Sequence, residues 1–315
     1  MTSAGSPAAF DSAARNPFLP GDEAAYQTWR ERKLHDYPTG VSSLLVRIAD
    51  PGDISEAEYR AVVGFCGKTN MALYDLGRTC VAGKAAVRAL GRRFGLVHLD
   101  SNLYADEDSI TSLQVTAARR QRDYIPYTNR RLNWHTDGYY NAPQQRIRGI
   151  LMHCVTDAWR GGENQFLDHE IAYILLRDEN PRYIAALMQP DAMTIPPNVE
   201  GGVEIRGAET GPVFSVEIGT GNLHMRYSAR LRNIHWKDDP DTQAAVSFLQ
   251  DLWANGCPYM YHYRLVPGQG VICNNVLHSR TAFEDSAAAG QRRLLYRARY
   301  YDRVSGTDLG EFFTP

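Results

Sequence analysis

The sequence predicts a mainly β fold of the α+β type, a β-barrel or jelly-roll core wrapped by flanking helices. Three features of the 315 residues lead there. From about residue 110 onward, short β-branched and aromatic stretches alternate with Gly, Pro and Asn breaks, the texture of short strands joined by turns. Helical patterns are concentrated before that point, and two more interrupt the strands. With 43% hydrophobic and 22% charged residues, the chain can bury a sizeable core.

Taken in order, residues 1–25 are rich in Ala, Ser, Pro and Gly and read as a loose arm. Residues 26–315 read as one domain, helical over about 26–109 and jelly-roll over about 110–305. Asp53 or Ser55 can start a helix, since Ser55 and Glu58 match a capping box and Tyr59, Val62, Val63 and Cys66 form an apolar stripe. A second helix is expected over 83–94, with Arg88, Arg92 and Arg93 grouped on it. Strands are expected in 146–156, 211–219, 222–231, 268–283 and 292–302, with helical insertions at 171–175, continuing past Pro181, and at 241–253. Gly201-Gly202 and Gly219-Thr220-Gly221 look like hairpin turns, because no helix follows them to make a phosphate loop. A lid is expected between 190 and 215.

The formal net charge of −2, from 34 basic and 36 acidic residues, gives no global pull toward nucleic acid or membrane. A small-molecule partner is the expectation, and a homo-oligomer is compatible with it. Five cysteines, Cys66, Cys80, Cys154, Cys257 and Cys273, form no CxxC pair and read as reduced thiols. The N-terminus lacks a basic start followed by an apolar run, and no window reaches the ~20 apolar residues that span a bilayer. A cytoplasmic protein is expected.

The most informative segment is Asn133-Trp134-His135-Thr136-Asp137-Gly138-Tyr139-Tyr140. On an extended chain, residues two apart point the same way, so His135 and Asp137 can converge on one ion. Alone, His-x-Asp is a common chance spacing. A distant partner is offered by His278, which ends a Gly-bounded strand starting at Gly270. Two imidazoles and one carboxylate make the facial triad of non-haem iron(II) sites. Further on, Arg293, Leu295, Arg297 and Arg299 share one face of a strand and Leu294, Tyr296, Ala298 and Tyr300 the other. Inward arginines would demand an anion, and a guanidinium fork suits a carboxylate. Periodicity alone leaves an outer strand with solvated arginines equally open.

Four segments, NWHTDG, GGENQFLDHEIAY (161–173), NNVLHSRTAF (274–283) and RRLLYR (292–297), together resemble the taurine dioxygenase and clavaminate-synthase-like iron(II)/2-oxoglutarate oxygenases over roughly 124–302. The resemblance implies a double-stranded β-helix core, a catalytic domain, and His135, Asp137 and His278 as the Fe(II) ligands. It implies that 2-oxoglutarate and O2 are co-substrates, with succinate and CO2 released. Arg293 would anchor the distal carboxylate of 2-oxoglutarate, and Arg297 would support it or reach the substrate. The family's Gly-Gly-acidic-Thr turn is Gly161-Gly162-Glu163-Asn164 here, so Asn164 would have to donate through its amide. A carboxylate at Asp137 favours hydroxylation or desaturation over halogenation. A small polar or zwitterionic metabolite is the expected substrate.

Trp134, Tyr139 and Tyr140 flank the metal motif as candidate substrate walls, though such aromatics are as often plain core. Arg226 is a candidate for a substrate carboxylate against a surface ion pair, and Arg280 is structural or substrate-facing. His153, His169, His224, His235 and His262 read as structural. Three other functions compete: a zinc hydrolase, which needs a general base, a non-catalytic metal- or ligand-binding jelly roll, and an oxygenase acting on protein.

Overall fold

The last strand, Leu294–Tyr300, shows how the core is built. A computed structural model describes residues 16–78, 83–101, 108–116, 125–230 and 234–312, and sets this strand inside a six-stranded sheet. The order is Leu45–Arg47, Met71–Asp75, Gln269–Cys273, Gly149–Thr156, Leu294–Tyr300 and Thr111–Leu113, with only the first pair parallel. Side chains alternate across it. Leu73, Ile150, Met152, Cys154, Val271 and Leu295 join the main core. Ala72, Tyr74, Leu151, Ile272, Ala298 and Tyr300 join a second buried layer with Val62, Cys66, Val87, Leu90 and Phe94.

A four-stranded sheet, Tyr261–Tyr263, Asn164–Leu167, Leu277–Arg280 and Leu132–His135, adds Phe166, Leu167, Leu277 and Trp134 to the same main core. Strands distant in sequence thus interleave in two sheets around one core. This is the double-stranded β-helix, or jelly roll, with flanking helices.

Helix Glu56–Thr69 begins as its sequence predicts. The Ser55 hydroxyl accepts from the Glu58 backbone and the Glu58 carboxylate accepts from that of Ser55, a capping box that contributes about 1 kcal/mol. Helix Lys84–Arg93 falls where expected. The first helical insertion is two helices, His169–Glu179 and Pro181–Leu187, because Asn180 ends one and caps the other with Pro181 in its first turn. The second is Pro240–Asn255, capped by Asp239. The hairpin Asn198–Glu200 to Val203–Arg206 turns on Gly201 and Gly202, at φ +60° and +84°. No helix among the described residues is long and apolar enough to cross a membrane.

One expectation needs correction. Residues 16–25 do not belong to a loose arm. Phe18 is fully buried, edge-on to Trp29 and Tyr173 at 4.8 and 5.6 Å, and its carbonyl accepts from the Tyr173 hydroxyl. Asp22 caps helix Glu23–Leu34. A single buried aromatic anchors a stretch whose composition looks unstructured. The rest of the expected arm, 1–15, and Cys80 lie outside the described residues.

Candidate metal centre

His135 ends the strand Leu132–His135, and Asp137 lies two residues beyond it. On the neighbouring strand, Leu277–Arg280, His278 stands directly across from His135 in antiparallel register, with ring centroids 4.2 Å apart. One ligand atom from each of His135, Asp137 and His278 lies within 4.8 Å of the others, and all three residues are buried. Cross-strand pairing therefore supplies the partner that the chain spacing alone could only suggest.

Hydrogen bonds set the histidine tautomers. Nδ1–H of His135 donates to the Asn133 carbonyl at 2.8 Å, and Nδ1–H of His278 donates to the Val276 carbonyl at 2.9 Å. A carbonyl only accepts, so Nδ1 carries the proton and Nε2 keeps its lone pair. Asp137 Oδ1 accepts from Arg297 at 3.1 Å, whereas Oδ2 is buried with no partner among the described residues. An orphaned carboxylate oxygen beside two free imidazole lone pairs is costly in a protein interior and fits a divalent metal of the iron(II) type.

The electrostatics agree. Burial works to raise the Asp137 carboxyl, but the Arg297 guanidinium and then the two imidazoles outweigh it and hold it well below the usual range. Burial, with His135 beside it, pushes His278 down to about 4, so the ring is neutral as a ligand must be.

A brace around the centre was not legible as functional. Asn275, in left-handed backbone at φ +49°, accepts from the Asp137 N–H through Oδ1 and donates through Nδ2 to the carbonyls of Asp137 and Ile147. The one sequence signal was the Asn274-Asn275 doublet before the His278 strand. Asn readily takes the left-handed conformation such a turn needs.

The arginine face of the last strand points inward, because Leu295 on that face belongs to the main core. Arg293, Arg297 and Arg299 are 4%, 8% and 2% exposed. Arg297 meets Asp137, while Arg299 pairs with Asp100 and donates to the Tyr140 hydroxyl at 2.8 Å. Arg293 lies with its guanidinium 5.1 Å from the Phe283 ring centroid, and burial pushes it down to about 10. A Cβ on Gly162 would come 3.5 Å from its Nε, so the Gly161-Gly162 turn packs closely against this side chain. Asn164 is buried beside that turn, its amide making only a 3.5 Å contact with the Tyr263 carbonyl.

The remaining candidates divide. Tyr139 and Tyr140 follow Asp137 directly and pack edge-on at 5.1 Å, with Arg230 over the first ring and Arg206 over the second. Trp134 is removed from the substrate wall: it stacks on Trp253 at 4.9 Å, since adjacent strand residues face opposite ways and His135 takes the site side. Arg226 is no surface ion pair. It is partly buried and donates to the carbonyls of Met193 and Glu209 at 2.6 and 3.4 Å, tying two neighbouring strands together. Arg280 is 4% exposed, donates to the Thr128 and Arg130 carbonyls, and is pushed down to about 9 by burial and by Arg293.

Fold and site together define a jelly-roll protein with a buried two-histidine, one-carboxylate centre. The chain belongs to the family described as taurine catabolism dioxygenase TauD, TfdA, whose model matches residues 75–299. It is 32% identical over 178 residues to a uridine-5'-phosphate dioxygenase of an Amycolatopsis species, covering 53% of this chain and 60% of that one. A Streptomyces uridine-5'-phosphate dioxygenase is 30% identical over 125 residues, 40% of this chain and 44% of that one. The chain thus spans less than two thirds of the length of these curated relatives. Among solved structures, asparagine oxygenase with Fe(II), 2S,3S-3-hydroxyasparagine and succinate has a TM-score of 0.57 at 15% identity, covering 80% of this chain and 86% of that one.

Proposed function

We propose that this chain is an iron(II)- and 2-oxoglutarate-dependent dioxygenase that hydroxylates a small, anionic metabolite in the cytoplasm. One observation carries the reading: the orphaned buried Asp137 oxygen, flanked by two free imidazole nitrogens and by an inward arginine face. When bound, Fe(II) with 2-oxoglutarate and O2 supplies the C–H chemistry, and succinate and CO2 leave. The protein's part is to hold and orient. His135, Asp137 and His278 ligate the metal, and their Nδ1 bonds keep both rings turned toward it. Arg297 keeps Asp137 ionised. Arg293 and Asn164 meet the far carboxylate of 2-oxoglutarate, and the surrounding core excludes water.

The anionic substrate is supported by the rim. Arg230 and Arg206 lie 6.0 and 5.9 Å over Tyr139 and Tyr140, next to the metal ligand Asp137. The curated relatives named for uridine-5'-phosphate favour a phosphate-bearing substrate. A zinc hydrolase is disfavoured because the side chains bearing on Asp137 are the guanidiniums of Arg297 and Arg299 and the imidazoles of His135 and His278, with no second carboxylate among them to act as base. The four described cysteines are free thiols, in keeping with a reducing compartment.

Anaerobic Fe(II) plus 2-oxoglutarate is expected to give a visible charge-transfer band that His135→Ala abolishes. A native protein that binds iron but not 2-oxoglutarate overturns the reading. A succinate-release screen across nucleoside monophosphates, amino acids, betaines and sulfonates is expected to respond to the phosphates.

A further inference from the structure

Two guanidinium carbons lie 5.9 Å from the Tyr140 ring centroid, that of Arg299 on the inward face of the last strand and that of Arg206 at the end of the hairpin strand Val203–Arg206. Nη1 of Arg299 donates to the Tyr140 hydroxyl at 2.8 Å. A guanidinium has no acceptor, so the phenol oxygen must accept, and its own O–H is left to donate elsewhere. No described residue accepts from it. Arg299 is 2% exposed and its charge bears on Asp137, so the hydroxyl end of Tyr140 lies toward the metal centre. Nε of Arg299 is buried and likewise without a partner among the described residues.

The charges around this ring do not balance. Arg299 is answered by Asp100 and Arg297 by Asp137. Arg206 donates only to the neutral carbonyls of Gly207 and Pro196. Arg230 lies 6.0 Å over Tyr139, two residues past Ser228, which pairs with His135 in an antiparallel bridge. Among the described residues neither Arg206 nor Arg230 has a carboxylate within ion-pair distance, and both bear on Tyr139. The two tyrosine rings they cover are 5.1 Å apart. Two unanswered guanidiniums so close together match the double charge that a phosphate monoester approaches near neutral pH. A sulfonate, a carboxylate or a phosphodiester would leave one of them unmet. The guanidinium fork also fits phosphate oxygens directly.

We infer that the Tyr140 hydroxyl and the Arg206 guanidinium are the donors that recognise the substrate's phosphate monoester, with Arg230 supplying the second charge and Arg299 fixing the Tyr140 oxygen from inside. This rests on the reading that the substrate bears a phosphate. Tyr140 selects by direction, because its O–H can turn only away from Arg299 once that side chain holds the oxygen. Arg206 comes from a hairpin that pairs with neither main sheet, so the subsite joins a wall fixed beside the metal to a donor carried by a separate element. A phosphate monoester is taken in preference to the corresponding diester or the unphosphorylated compound.

The test is anaerobic calorimetric titration of the full chain, loaded with Fe(II) and 2-oxoglutarate, with uridine-5'-phosphate, its methyl diester and uridine. The wild-type chain is expected to bind the monoester at least about tenfold more tightly than the other two. Tyr140→Phe removes one oxygen and keeps the ring. It is expected to raise the Kd for the monoester about tenfold or more while leaving that for 2-oxoglutarate, read by the charge-transfer band, within about twofold. Arg206→Gln is expected to do the same, and Arg206→Lys to recover part of the loss. An unchanged monoester Kd in Tyr140→Phe overturns the inference. Equal weakening of monoester and 2-oxoglutarate overturns it too, because it marks Tyr140 as a support for Arg299 and the metal centre only. Should Tyr140→Phe fail to fold, Arg206→Gln is read in the same way. A wild-type chain that binds 2-oxoglutarate but none of the three probes defeats the phosphate reading and the subsite together, whereas a preference for the monoester that both variants keep defeats the subsite alone.

Discussion

Lys33 and Arg293 are both buried cations, and their surroundings differ in one respect. Lys33, with no exposure, sits between Asp168 at 2.7 Å and Glu170 at 2.5 Å. Asp168 also accepts from the Asn70 amide at 2.9 Å, from the Tyr37 hydroxyl at 3.3 Å and from the Glu170 backbone at 2.9 Å. Every charge in that cluster is answered from within the chain. Around Arg293 and Arg280 no described carboxylate comes within ion-pair distance of a guanidinium, and Asp285 accepts from the Arg293 backbone instead. The first cluster is complete as folded and locks helix His169–Glu179 to helix Glu23–Leu34. The second leaves Nε of Arg280 buried without a partner among the described residues. Asp168 and Glu170 belong to the 161–173 segment that resembles the oxygenases, so part of that segment serves the fold.

The contrast can be broken most sharply at Lys33. Lys33→Met leaves two carboxylates buried without a cation, and urea unfolding should show a loss of about 3–5 kcal/mol. Arg293→Met should do the reverse. Removing an uncompensated charge should leave unfolding of the ligand-free chain within about 1 kcal/mol of wild type, while 2-oxoglutarate affinity falls about 100-fold in the anaerobic titration. If Arg293→Met destabilises the chain as much as Lys33→Met, the two clusters are of one kind and the distinction fails.

A smaller effect sharpens the boundary between them. Asn275→Gly keeps the left-handed backbone free of strain but strips three hydrogen bonds from around Asp137. It should cost about 1–3 kcal/mol in stability. Fe(II) affinity, measured by competition with a chelator, should fall about tenfold. Loss of stability with unchanged iron affinity would make Asn275 a turn residue and nothing more.

Much of the fold was legible because its signals are local. The capping box at Ser55 and Glu58, the helix at Lys84–Arg93 and the Gly201-Gly202 turn each depend on a few neighbouring residues. The packed segment 16–25 escaped notice because Phe18 is held by Trp29 and Tyr173, contacts that composition cannot register. Trp134 carried its own correction in the sequence: as the strand neighbour of His135 it had to face the other way.

By itself the sequence determined the three ligand types, the strand alternation that turns His135 and Asp137 to one side, and the periodicity that gathers Arg293, Arg297 and Arg299 on one face. Those are consequences of backbone geometry, which acts residue by residue. Only the tertiary structure decided that His278 lies opposite His135, that the arginine face turns inward, and that Arg280 joins Arg293 over Phe283. Both faces of the last strand are largely buried, so hydrophobicity along the chain could not choose between them. Register and burial are set by pairing between distant strands, and that pairing settles which charges are answered from within the chain.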